Sequence, residues 1–126
     1  MIGYVTIGVK DMERAKTFYS ELFAEKGGRV VIDSGRIAFI SVAKGQPMVA
    51  VCEPYDKNDP APGNGTMVAF TAHSKEEVDK MYDRAIELGA TCDGKPGQRL
   101  PHPLYRPHRP PPPRHNIRHF ALGWAA

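Results

Sequence analysis

The chain has 126 residues, two cysteines and a formal net charge of +3, a length that suits one domain with a real core and is too short for two ordinary ones. The basic excess lies wholly in residues 101–126, where Arg106, Arg109, Arg114 and Arg118 meet no acid; the first 100 residues hold 13 Lys+Arg against 14 Asp+Glu, so a nucleic-acid partner is not expected. Cys52 and Cys92 lack C-x-x-C spacing, which argues against a zinc knuckle, a redox pair or a secreted disulfide framework, and no leader-like start or apolar run of about 18 residues occurs, so a cytoplasmic protein without membrane contact is expected.

Tyr4 to Val9 reads as a strand. Asp11 follows as an N-cap, and Met12, Ala15, Phe18, Tyr19, Leu22 and Phe23 fall at helical spacing, with Gly27 and Gly28 to end the helix. Three strand-like runs come next, "GRVVID" (28–33), "IAFISV" (37–42) and "PMVAVCEP" (47–54), joined by the turns "SGR" and "AKGQP". This order makes residues 1–54 one β-α-β-β-β module. "YDKNDPAPGNG" (55–65) has the Pro, Gly, Asn and Asp content of a linker. Its Glu53, Asp56 and Asp59 neighbourhood lacks the glycine placement of a calcium loop and reads as solvated charge.

At an offset of 63 the pattern begins again. Residues 4–28 over 67–91 share few identities (Val5/Val68, Glu13/Glu76, Tyr19/Tyr82), but both copies run strand, polar cap, apolar stripe. In the second copy Met67 to Ala72 is the expected strand, Ser74 with Glu77 forms an S-x-x-E capping box, Val78, Met81, Tyr82, Ala85 and Ile86 form the stripe, and Gly89 ends it. Residues 66–126 would be a second module, with "ATCDGK" (90–95) opening its next strand. From about residue 98 the pattern fails. Seven of the 12 prolines lie between Pro101 and Pro113, and Pro110 to Pro113 are consecutive, which removes ladder donors and imposes polyproline II. His102, His108, His115 and His119 lack the paired spacing of metal ligands, and the segment reads as a diverged end, a proline-rich partner motif or a frame artefact. "NIRHFALGW" (116–124) could still supply one last strand, with Phe120, Leu122 and Trp124 alternating.

The two-module pattern, with "YVTIGVKDMERAKTFYSELFA" opening the first and "GNGTMVAF" the second, resembles the vicinal oxygen chelate superfamily, the group of glyoxalases, bleomycin-resistance proteins and extradiol dioxygenases. The phrase from Val9 to Tyr19 carries the closest match, and the resemblance spans roughly residues 1–100. It implies an α+β fold of two tandem βαβββ modules forming one curved mixed sheet, with the helices outside, a ligand in the concave cup, and assembly as a homodimer.

The resemblance also implies where a metal would sit. The first-strand ligand falls at Tyr4, the last strand of the first module puts Ala50 at the second position, and "GTMVAF" puts Met67 at the third; Asn116 sets a register that brings His119 near the fourth. A neutral phenol, a methyl and a thioether do not suit Mg, Mn, Zn or Fe. The expectation is therefore no cofactor; a divalent metal enters only under the alternative of a divergent lyase or dioxygenase. Strand alternation lines the cup with Tyr4, Thr6, Ala50, Cys52, Met67 and Ala69, together with Gly8 and Thr71, and Arg36 stands at the turn before the third strand. Such a lining suits a small apolar or aromatic molecule. Tyr4 and Met67 can equally be ordinary core side chains, Cys52 a small buried hydrophobe, Arg36 a surface arginine, and His73 a solvated loop residue.

Overall fold

The computed structural model describes residues 1–61 and 68–90. The first stretch belongs to one compact unit and the second to another. Met67, Asn116, His119, the strand proposed at 90–95 and the whole proline-rich tail lie outside the described residues.

In the first unit the chain forms β1 (Tyr4–Gly8), α1 (Met12–Leu22), β2 (Arg29–Asp33), β3 (Ile37–Ser41) and β4 (Met48–Cys52). These are the β-α-β-β-β elements expected from the sequence. The strands are shorter than the apolar runs that announced them. Pro47 and Pro54 flank β4 and bring no N–H to a ladder, which trims that run to five residues. The strands make a mixed sheet of order β1-β4-β3-β2. β2, β3 and β4 follow one another as antiparallel neighbours, whereas β1 pairs with β4 in parallel, Tyr4 opposite Met48 and Gly8 opposite Cys52. A bulge between Val30 and Ile32 interrupts the β2–β3 register.

Local chemistry fixes both ends of α1. The Asp11 carboxylate accepts from the Arg14 N–H at 3.0 Å, satisfying one of the helix's orphan donors. The C-terminus runs on into a 3₁₀ turn, Ala24–Lys26, which sequence periodicity did not signal. Gly27 then takes φ of 84°. Its N–H donates to the Ala24 carbonyl (3.0 Å) and the Gly28 N–H to the Phe23 carbonyl (2.8 Å), the two reverse bonds of a Schellman closure. Gly28 is needed for a different reason. A Cβ there would overlap that of Phe23 and lie 2.7 Å from the Phe23 carbonyl oxygen.

Met12, Ala15, Phe18, Tyr19, Leu22 and Phe23 are all buried, as the helical spacing predicts. The helix packs on β2, β3 and β4, and the residues facing it include Ile7, Ala38, Ile40, Val49 and Val51, each buried. At roughly 1.5–3 kcal/mol for each large apolar side chain taken from water, this seam is the main source of stability in the unit. Phe18 and Tyr19 meet edge to face at 5.0 Å between centroids. The Tyr19 hydroxyl is buried without a hydrogen-bond partner, and burial pushes its pKa well above the usual phenol range.

In the second unit α2 spans Lys75–Glu87. Ser74 Oγ accepts from the Glu77 N–H at 3.0 Å, and the Glu77 carboxylate accepts from the His73 N–H, one residue before the N-cap. The capping box is thus present in a reach-back form. Gly89, at φ of 99°, closes the helix: its N–H donates to the Ile86 carbonyl and the Ala90 N–H to that of Ala85. Val78, Met81 and Ala85 are buried. The strand expected over Met67 to Ala72 is not formed in its described part, since Val68 to Ala72 belong to no ladder. Strand propensity reflects fit to a pleated, half-buried surface rather than an intrinsic backbone preference, so composition alone does not make this run a strand. No helix among the described residues is long and apolar enough to cross a membrane.

Candidate functional site

The register sorts the first unit's sheet into two faces. Val5, Ile7, Val49, Val51, Ala38 and Ile40 lie on the side of α1, as does Asp33, whose carboxylate meets Lys16 of the helix at 2.8 Å. On the other side stand Tyr4 and Thr6 of β1, Met48, Ala50 and Cys52 of β4, Ile37 and Phe39 of β3, and Ile32 of β2. Among the described residues of this unit, no helix covers that side. Tyr4 keeps 52% of its surface exposed and Ile32 54%, high values for apolar groups on a sheet.

One contact organises this open face. The rings of Tyr4 and Phe39 meet edge to face, with centroids 5.0 Å apart and planes at 82°. The two residues belong to strands that are not neighbours, since β4 runs between them. They meet across β4 at the level of Met48 and Ala50, and Ala50 is fully buried even though it points to the open side. A larger residue at position 50 would stand where the rings touch. Sequence alternation placed Tyr4, Thr6, Ala50 and Cys52 on one face, and the register puts them there; Phe39, Met48, Ile37 and Ile32 were not among the candidates. Their signal was present in the same alternation once the third strand is paired with the fourth.

Arg36 stands at the turn where β3 begins. It precedes Ile37, the register partner of Cys52, and its carbonyl accepts from the Glu53 N–H at 2.9 Å. Its Nη1 donates to the Glu53 carbonyl at 3.0 Å, and the guanidinium lies 5.6 Å from the centre of the exposed Tyr55 ring. Burial raises the pKa of the half-buried Cys52 thiol, and the Arg36 charge acts in the opposite sense without overcoming it. No cationic neighbour of Cys52 was visible in the sequence. The hairpin register supplies one, yet the thiol stays in its protonated form at neutral pH.

Of the positions that the resemblance implies for a metal, Tyr4 offers a phenol packed against Phe39, and Ala50 a buried methyl. Met67 and His119 lie outside the described residues. Among the described residues no three His, Cys, Asp or Glu side chains cluster as a metal site. The linker acids are engaged locally: Asp56 accepts from the Asn58 N–H at 2.9 Å, and Asp59 is 3.7 Å from Lys10. Ala69 and His73 are both exposed in the second unit.

The sequence profile of the Glyoxalase/Bleomycin resistance protein/Dioxygenase superfamily matches residues 1–106. Among solved structures, a glyoxalase/bleomycin resistance protein from Albidiferax ferrireducens T118 is similar at 29% identity and a TM-score of 0.68, over 79% of this chain and 82% of that one. A hypothetical protein from S. aureus shares the fold at 17% identity and a TM-score of 0.57, over 79% and 77% of the two chains. No curated protein matches. With four-fifths of its length under the family profile and the helix-backed mixed sheet in place, the chain belongs to the glyoxalase/bleomycin resistance protein/dioxygenase superfamily.

Proposed function

We propose that the open sheet face binds a small apolar or aromatic molecule, and that it does so without a catalytic metal. The observation that carries this is the Tyr4–Phe39 pair roofing Ala50. Where a lyase or dioxygenase of the family would need a ligand oxygen or imidazole at two adjoining positions, this chain has an aromatic edge and a methyl. Such a surface recognises a flat apolar body by stacking and area burial. It has no carboxylate or imidazole there to hold a metal against an oxyanion.

The test is a thermal-shift and calorimetric screen of phenyl, indole and naphthalene compounds against the full chain, with metal content measured on protein purified without a histidine tag. Saturable binding that weakens several-fold in Phe39→Ala is expected, since an aromatic pair contributes about 0.5–1.5 kcal/mol beyond its area. Stoichiometric metal together with turnover of a hemithioacetal or a catechol would replace this proposal by the divergent lyase or dioxygenase.

A further inference from the structure

We infer that Arg29 is a specificity residue of the open face, and that the molecule bound there is an aromatic or apolar body ending in a carboxylate that this guanidinium receives. The inference rests on the binding proposal above and adds the chemical class and the orientation of the ligand.

Three observations carry it. The first is the side of the sheet on which Arg29 stands. Arg29 is the register partner of Ser41, and Ile32, beyond the bulge, is that of Phe39. Ser41 lies two residues along β3 from Phe39, so it shares the open side with that ring, and Arg29 shares it with Ser41. The Ile40–Val49 pair brings Ser41 level with Met48, and Met48 is opposite Tyr4, so Arg29, Ser41, Met48 and Tyr4 form one row across the four strands. A guanidinium thus ends a row that begins with a phenol, and stands diagonal to the Phe39 ring.

The second is charge. Arg29 and Asp33 are the two charged residues of the four strands. Asp33 stands on the helix side, where Lys16 meets it at 2.8 Å. Arg29 is exposed and enters no ion pair among the described residues. The neighbouring Ser41 hydroxyl donates to the Ala43 carbonyl at 3.2 Å, so the guanidinium supplies the donors in that corner, five N–H groups in a planar fork that fits both oxygens of a carboxylate. The third is the opposite end of the face. Gly8 belongs to the open side, and a Cβ on it would lie 3.3 Å from the Pro60 Cβ and 3.8 Å from the Pro54 Cγ. These two half-buried proline rings wall the face where Gly8 meets Cys52. Carbon closes that end, so the apolar body points to the prolines and the anionic group to Arg29.

An Arg29 that serves only as a solvated residue of an edge strand makes a different forecast, and a matched ligand pair separates the two. 2-Naphthoate and 2-naphthamide have the same body and differ in the charge of the end group. Their affinities are measured by calorimetry at low and high salt with the wild type, Arg29→Gln, Arg29→Lys and Lys44→Gln, each checked by circular dichroism. The expected result is about fivefold tighter binding of the acid by the wild type, the upper scale for one charge pair at an exposed position, shrinking at high salt. Arg29→Gln should bring the acid down to the affinity of the amide, and Arg29→Lys should retain part of the preference. Lys44→Gln removes an exposed charge from the β3–β4 turn, at the same end of the sheet, and should retain all of it. Equal binding of acid and amide by the wild type would overturn the role of Arg29 and leave the apolar-face proposal standing. So would a preference that survives in Arg29→Gln, a loss of affinity equal for both ligands, or a preference lost in Lys44→Gln alone. Failure of both compounds to bind would overturn the two proposals together.

Discussion

Replacing Gly28 by alanine probes the turn that sends the chain from α1 into the sheet. The added methyl would overlap the Phe23 Cβ and lie 2.7 and 2.9 Å from the Phe23 carbonyl oxygen and carbon. These are backbone atoms and a helix-anchored Cβ, so no rotamer change relieves the clash. Either the core shifts around Phe23 or the turn opens and gives up the Gly28-to-Phe23 bond of 2.8 Å and the Gly27-to-Ala24 bond of 3.0 Å. Overpacking costs about 1–3 kcal/mol and each lost bond about 1 kcal/mol, so a loss of about 2–4 kcal/mol is expected, on the order of 10 °C in Tm for a chain of this length. Gly27→Ala is the control. Its φ of 84° puts a side chain in the left-handed region with the Val42 carbonyl oxygen 3.3 Å from the new Cβ, at about 1–2 kcal/mol. Gly35→Ala, with φ of 87° and open space around it, should cost about 1 kcal/mol. Urea or thermal unfolding of the three variants should rank them Gly28, Gly27, Gly35 from most to least damaging. A Gly28→Ala protein as stable as Gly35→Ala would refute the claim that close approach, rather than backbone conformation, selects glycine at this position.

Tyr19→Phe removes a buried hydroxyl that has no partner, and should stabilise the fold by about 1 kcal/mol, because the group's lost hydration is never repaid in the folded state; a fall in the unfolding midpoint would show that the hydroxyl is bonded after all. The pKa of Asp33 is lowered, first by its hydrogen bond with Lys16 and then by that with the Gly35 N–H, so its stabilising effect is present above the unfolded value near pH 4 and is lost as pH falls through the lower folded value. Asp33→Asn should flatten the acid limb of a stability-against-pH curve below about pH 4, and identical limbs in wild type and variant would count against the pairing.

The helices were legible in the sequence because their signals are local. Asp11 and Ser74 as caps, the stripes at 3.6 spacing and the glycines after each helix need no knowledge of what lies elsewhere in the chain. The sides of the strands were legible for the same reason, as period-2 alternation put Tyr4, Thr6, Ala50 and Cys52 together. What could not be read was which strands adjoin. The Tyr4–Phe39 contact requires β4 to lie between β1 and β3, and the nearness of Arg36 to Cys52 requires the β3–β4 register; both depend on pairing that no single segment encodes. The 3₁₀ turn at Ala24–Lys26 was hidden because its polar residues at 25 and 26 break the apolar stripe without breaking the helix. The second copy of the motif shows the converse: Val68 to Ala72 have the composition of a strand, yet they do not form one.

The parallel pairing of β1 with β4 sets an order of events during synthesis. β2, β3 and β4 can close as successive hairpins soon after each emerges from the ribosome, whereas β1 leaves first and has no native neighbour until Met48 to Cys52 have appeared. For that interval the residues Tyr4 to Gly8 are an apolar segment still lacking their native sheet neighbour. The aromatic pair over Ala50 is completed only when β1 finds β4. The open face is therefore assembled from strands made at the two ends of a translation interval, and whatever slows their meeting delays its appearance.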